Sequence, residues 1–135
     1  LLLVDDGWFD DNQMGILTHT WEASRLFVNR SRFDRNGAYE KFCGHAVYAG
    51  FIDTATVQAS TFTGHPFCHS IKSRALVSRI VGNRIGDGPD GTSSYAINLP
   101  NGGTAFIRQN VICKEPSSDN PFCAICIGEE ITRPG

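Results

Sequence analysis

One phrase recurs along the chain: an apolar residue, four mostly small or polar positions, then Phe or Ile. It runs from Val4 to Phe9, Val28 to Phe33, Val57 to Phe62, Ile80 to Ile85 and Ile107 to Ile112, at successive spacings of 24, 29, 23 and 27 residues. A turn-rich stretch follows most of these phrases, such as Asp34-Arg35-Asn36-Gly37, Asp87-Gly88-Pro89-Asp90-Gly91 or Pro116-Ser117-Ser118-Asp119-Asn120-Pro121. A short apolar or alternating run comes next in each period: Gly15-Ile16-Leu17, His45-Ala46-Val47-Tyr48, His69-Ser70-Ile71-Lys72, Tyr95-Ala96-Ile97-Asn98 and Phe122-Cys123-Ala124-Ile125-Cys126. Strand, turn, strand and turn at this period are the mark of a parallel β-solenoid. No single coil buries its own apolar residues; stacked coils, each about 4.8 Å above the last, bury them in one continuous core. The sequence therefore predicts an all-β fold, a β-helix of about five coils.

The alternatives fit less well. Residues 20–28 imitate a helical apolar stripe, but their phase in the repeat assigns them to a strand. β-Branched and aromatic residues fill the runs, and Gly, Asn, Asp and Pro lie between them. Asn83 and Asn110 occupy one position of the phrase, where Gly7, Ser31 and Ser60 stand in the other periods. Small polar side chains stacked at a coil bend predict a hydrogen-bonded ladder rather than a ligand site. The predicted core is Val28, Phe33, Val57, Phe62, Ile80, Ile85, Ile107, Ile112, Val47, Ile71 and Ile97.

Composition narrows the class. With 41% hydrophobic and 19% charged residues the chain is neither a disordered tail nor a membrane span, and residues 1–135 read as a single domain, an excerpt of a longer solenoid. A net charge of −2 and scattered arginines argue against a nucleic-acid binder. Leu1 to Val4 do not carry the pattern of a signal peptide. Five cysteines leave one over in any full pairing. The expected state is buried free thiols, because Cys behaves as a small hydrophobe; a disulfide or a metal site is the alternative, and Cys123-Ala-Ile-Cys126 is the only close pair.

The runs His69 to Ala75, Gly82-Asn83-Arg84-Ile85, Asp87 to Gly103 and Gln109-Asn110-Val111-Ile112 resemble bacterial right-handed parallel β-helix repeat proteins of the pectate-lyase-like superfamily. The likeness covers about residues 4–130, with Ser94 to Gly103 its most specific block. It implies a right-handed parallel β-helix, an activity directed at polysaccharide, and a secreted, cell-surface or periplasmic location.

Alternation along the second runs nominates a site. With Val47, Ile71, Ile97 and Ile125 inward, Tyr48, Lys72, Asn98 and Cys126 form one outward column. Ala46, Ser70, Ala96 and Ala124 form its neighbour, and Gly50, Arg74 and Pro100 stand on the other side. Lys72, Arg74 and Tyr48 are the candidate catalytic groups; Asn98, Tyr95 and Asn101 are the candidate substrate-binding residues. Arg clamps a carboxylate bidentately and Lys acts as a point charge, so the cluster suits an acidic glycan. A polysaccharide lyase or uronate epimerase needs a base for the proton alpha to the uronate carboxylate, a role open to Lys72, and an acid or sugar-stacking group, a role open to Tyr48. The same Lys and Arg would also serve as plain solvating charges or edge guards on a non-catalytic scaffold or adhesin-like surface domain.

His45 and His69 match one coil apart and are expected to make structural hydrogen bonds. No cofactor or metal is assigned, although the Asp87–Gly91 loop has carboxylate and carbonyl oxygens of the kind calcium takes. The expected partner is polysaccharide, with no nucleic acid and no membrane span. Open solenoid ends, blunted only by Glu129, Glu130 and Pro134, also predict self-association.

Overall fold

The computed structural model describes residues 1–37 and 43–131. All its regular structure is β, in three five-stranded parallel sheets. The first sheet stacks β1 (Leu2–Asp5), β4 (Trp21–Asn29), β7 (Ile52–Gln58), β10 (Val77–Val81) and β13 (Thr104–Arg108). The second stacks β2 (Trp8–Asp10), β5 (Arg32–Asp34), β8 (Thr61–Thr63), β11 (Arg84–Gly86) and β14 (Val111–Cys113). The third stacks β3 (Ile16–Leu17), β6 (Val47–Ala49), β9 (Ile71–Ser73), β12 (Ile97–Leu99) and β15 (Ile125–Ile127). The chain visits the sheets in rotation and rises one strand per circuit, a β-solenoid of about four turns. Pro134 lies outside the described residues.

The repeat phrase is the register. Val4, Val28, Val57, Ile80 and Ile107 are successive partners across the first sheet. Phe9, Phe33, Phe62, Ile85 and Ile112 are partners across the second. Ile16, Val47, Ile71, Ile97 and Ile125 do the same in the third. Identical faces must superpose to make one core, so each apolar residue sits on its counterpart. Phe9, Phe33 and Phe62 stack with ring centroids 4.8 Å apart. The expected core residues of the middle rungs are buried; Ile107 and Ile112, on the last rung, are partly buried because no strand lies over them. Residues 21–29 are strand, as their repeat phase requires.

The bend between the first and second sheets repeats in two columns. Asp6, Arg30, Ala59, Gly82 and Gln109 all adopt positive φ, between 47° and 67°. Directly after them, Gly7, Ser31, Ser60, Asn83 and Asn110 form the expected ladder. The Ser60 N–H donates to Asn83 Oδ1 at 3.0 Å, and the Asn83 N–H to Asn110 Oδ1 at 2.9 Å. Asn83 Nδ2 also donates to the Val57 carbonyl at 2.9 Å. At the first four bends one backbone N–H, of Gly7, Ser31, Ser60 and Asn83, is satisfied by the side chain of the next rung.

The cysteines correct the sequence expectation. Cys43 is joined to Cys68, and Cys123 to Cys126; Cys113 is free and exposed. Cys43 and Cys68 fall one circuit apart, so the winding itself brings them together.

Candidate functional site

The outer face of the third sheet carries the nominated residues. Tyr48 pairs with Lys72, and Lys72 with Asn98, on adjacent strands β6, β9 and β12. The stacking brings their neighbours together as well. Arg74 Nε donates to the Tyr48 hydroxyl at 2.8 Å, and Arg74 Nη1 donates to Asn101 Oδ1. The Lys72 ammonium stands 5.5 Å from the centre of the Tyr48 ring. Lys72, Arg74, Tyr48 and Asn101 are therefore one cluster. Tyr95 is placed otherwise: its ring stacks on His69 at 4.7 Å, one step along the rung.

The column keeps the parity the sequence predicts, but its face is covered rather than open. Lys72 and Arg74 side chains are only 13% and 14% exposed, and Asn98 is buried. The cover is the turn after β15. Glu130 Oε2 meets Arg74 Nη2 at 2.6 Å and its Oε1 meets Lys72 Nζ at 3.5 Å. Asn98 Nδ2 donates to Glu129 Oε1 at 2.6 Å. Burial works against the Arg74 charge, but the Tyr48 hydroxyl and Glu130 outweigh it and raise its pKa. The hydrogen bond from Arg74, aided by Lys72, holds the Glu130 carboxyl below its ordinary range against the cost of burial. The neighbouring column is also shielded: Ala46, Ser70 and Ala96 are buried, and only Ala124 on the last rung is exposed.

Beside this cluster, His45, His69 and Tyr95 form a stacked column, with His45 and His69 centroids 4.9 Å apart. The His69 N–H donates to His45 Nδ1 at 3.1 Å, and the Tyr95 N–H to His69 Nδ1 at 3.2 Å. Both imidazoles are thus acceptors for the backbone of the next rung, which is the expected structural role and requires them neutral.

The Asp87–Gly91 loop does not offer Asp87 to a metal. Asp87 is buried, and its oxygens accept from the Ser93 hydroxyl, from the Ser118 hydroxyl at 2.6 Å and from the Glu115 N–H at 3.3 Å. Lys114 Nζ lies 3.2 Å away. The donor set is that of a buried structural carboxylate, and among the described residues no three His, Cys, Asp or Glu side chains are gathered to hold an ion. A cleft of about 540 Å³ opens over the second sheet between Arg32, Asp34, Thr63 and the 87–90 loop. Its floor, Asp34, is already bonded to Trp8 Nε1 at 3.1 Å, to Arg32 and to Thr63.

The sequence reading missed Glu129 and Glu130 as parts of the site. Glu130 is 58 residues from Lys72 and Glu129 is 31 from Asn98, which leaves no local signal. Comparison with protein-family models, curated proteins and solved structures finds no match to this chain.

Proposed function

We propose that this chain is a polysaccharide-binding β-helix protein that takes acidic glycans on the Lys72–Arg74 face. The observation that carries the reading is the Glu130 carboxylate held between Arg74 and Lys72. A uronate carboxylate presents the same charge and the same two oxygens. Arg74 is preorganised for it, since Tyr48 and Asn101 already fix the guanidinium plane. The finer family reading is part of the proposal: a right-handed, pectate-lyase-like helix of bacterial origin, secreted or surface-displayed. Right-handed crossovers are the rule between parallel strands, and two disulfides suit an oxidising compartment.

The catalytic extension is elimination or C5-epimerisation. Lys72, as the neutral amine left once its ammonium has given a proton to solvent, takes the proton alpha to the uronate carboxylate, and Arg74 neutralises the charge that develops. In elimination the released electron pair forms the new double bond as the glycosidic C–O bond breaks. Tyr48 protonates the leaving oxygen; its own oxygen accepts from Arg74, which leaves its O–H free to donate. In epimerisation a solvent water reprotonates the carbanion from the opposite face, the Lys72 ammonium neutralises the hydroxide left behind, and no bond to oxygen breaks. A second reading, a non-catalytic scaffold, is favoured by the internal neutralisation of Lys72 and Arg74 by Glu130. Self-association through the edge rungs belongs to either reading, supported by exposed Leu2, Leu3, Ile125 and Ile127; light scattering after size exclusion tests it.

The deciding experiment is calorimetric titration of the whole chain with tetragalacturonate and with alginate oligomers, followed by a search for unsaturated or epimerised uronate. Lys72→Ala should abolish binding with the far-UV circular dichroism unchanged. Binding that survives in Lys72→Ala removes Lys72 from the site, and no binding by either protein leaves the scaffold reading.

A further inference from the structure

We propose that the Glu129–Glu130 turn is a built-in stand-in for the acidic ligand, docked on the Lys72–Arg74 face until a polyuronate displaces it. This rests on the reading of that face as an acidic-glycan site and adds its regulation. The arrangement is asymmetric. The two cations are nearly covered, while the Glu130 side chain above them is 48% exposed. The carboxylate therefore lies on the solvent side as a cover. Two successive carboxylates are used, Glu129 on Asn98 and Glu130 on Lys72 and Arg74. A polyuronate likewise presents successive carboxylates to successive rungs.

Among the described residues the turn is otherwise held to the rung below by two backbone hydrogen bonds and by Ile131, whose Cδ1 lies over Gly102. The Gly128 and Glu130 N–H groups each donate at 2.9 Å, to the Leu99 and Pro100 carbonyls. Ile131 on the turn is exposed. Glu130 is half in solvent and partly screened, so a ligand offering the same groups without a turn to reorder can replace it. Apparent affinity is then the intrinsic affinity reduced by the fraction of molecules with the face uncovered.

The test compares tetragalacturonate binding to the whole chain, to E129Q/E130Q and to E22Q/D119N, which removes two exposed carboxylates outside this face. The expected result is binding tightened roughly three- to tenfold in E129Q/E130Q and unchanged in E22Q/D119N. In the unaltered protein, hydrogen exchange at the Gly128 and Glu130 amides should speed up on adding tetragalacturonate, a readout that does not depend on a variant folding. Equal affinity in the unaltered protein and E129Q/E130Q, or equal tightening in both variants, overturns the proposal while leaving the acidic-glycan site intact if Lys72→Ala still abolishes binding. Slower exchange at those two amides also overturns it. Absence of binding in every protein overturns both the proposal and the reading beneath it.

Discussion

Lowering the pH from 7 to 5 should cost this fold much of its stability, through three histidines. Burial pushes His45 down to about 3 and His65 and His69 to about 4, from an ordinary 6.5. The geometry says the same: His45 and His69 accept backbone N–H groups at Nδ1, and His65 Nδ1 meets the Asn36 N–H at 3.1 Å and carbonyl at 2.9 Å. His65 Nε2 has no partner among the described residues, so an added proton there is a buried bare charge. A base whose folded pKa is depressed binds fewer protons folded than unfolded. Its contribution is whole above pH 6.5 and drains as the pH falls toward the folded values. Linkage gives about 2 kcal/mol per histidine between pH 7 and 5. The three together reach about 6 kcal/mol, set against roughly 5–15 kcal/mol for a whole domain. The lowered carboxyls of Asp34, Asp87 and Glu130 keep their contributions until the pH falls below their ordinary values, so this window isolates the imidazoles. Urea unfolding followed by circular dichroism at several pH values measures it, and imidazole proton shifts should stay those of the neutral form down to pH 5. A loss under about 1 kcal/mol, or a folded titration near 6.5, would refute the argument.

Ile71→Ala should destabilise by roughly 2–5 kcal/mol in the same denaturation assay, since Ile71 is buried between Val47 and Ile97. Asn83→Ala should cost about 1–3 kcal/mol by stranding the buried Ser60 N–H and the Val57 carbonyl. Ala59→Gly should raise the unfolding midpoint, by about 1 kcal/mol, because Ala59 sits at φ 48° where only glycine is unstrained. Gly82→Ala, one rung along in the same column with nothing near the added Cβ, should lower it by a similar amount. Reduction or Cys68→Ser should cost about 3 kcal/mol by opening the Cys43–Cys68 loop.

The fold was legible because a solenoid converts a one-dimensional period into three-dimensional contact. Val28 and Val57 are neighbours in space for the same reason that they share a phase in the sequence, and so are Asn83 and Asn110. Two features escaped that logic. The left-handed bend at residues 6, 30, 59, 82 and 109 is carried by Asp, Arg, Ala, Gly and Gln, so residue identity does not reveal the conformation that the winding imposes. The Cys43–Cys68 disulfide escaped because the two cysteines meet only once the uneven spacing of the bends is known, and Cys123–Cys126 because a close pair fits a free-thiol or bonded state equally well.

The site was legible only as far as its strands extend. Parity along β6, β9 and β12 put Tyr48, Lys72 and Asn98 in one column, and the register keeps them there. Parity says which side a residue faces, but not what lies over that side. The cover over Lys72 and Arg74 comes from two rungs away, in a turn whose Glu129 and Glu130 look in sequence like ordinary edge-blunting charges. Their partners make them more than that: Arg74 and Lys72 hold the Glu130 carboxylate in its charged form, and Asn98 donates to Glu129. A cationic pair covered by a turn without a carboxylate would pay desolvation with no compensating charge. While they are covered, Lys72 and Arg74 therefore need a carboxylate, either the chain's own or a ligand's. That requirement links stability to binding, and it can be measured: in E129Q/E130Q the unfolding midpoint should fall, and tetragalacturonate should restore it. Failure of the ligand to restore the lost midpoint in a variant that binds it would break the link between the two roles.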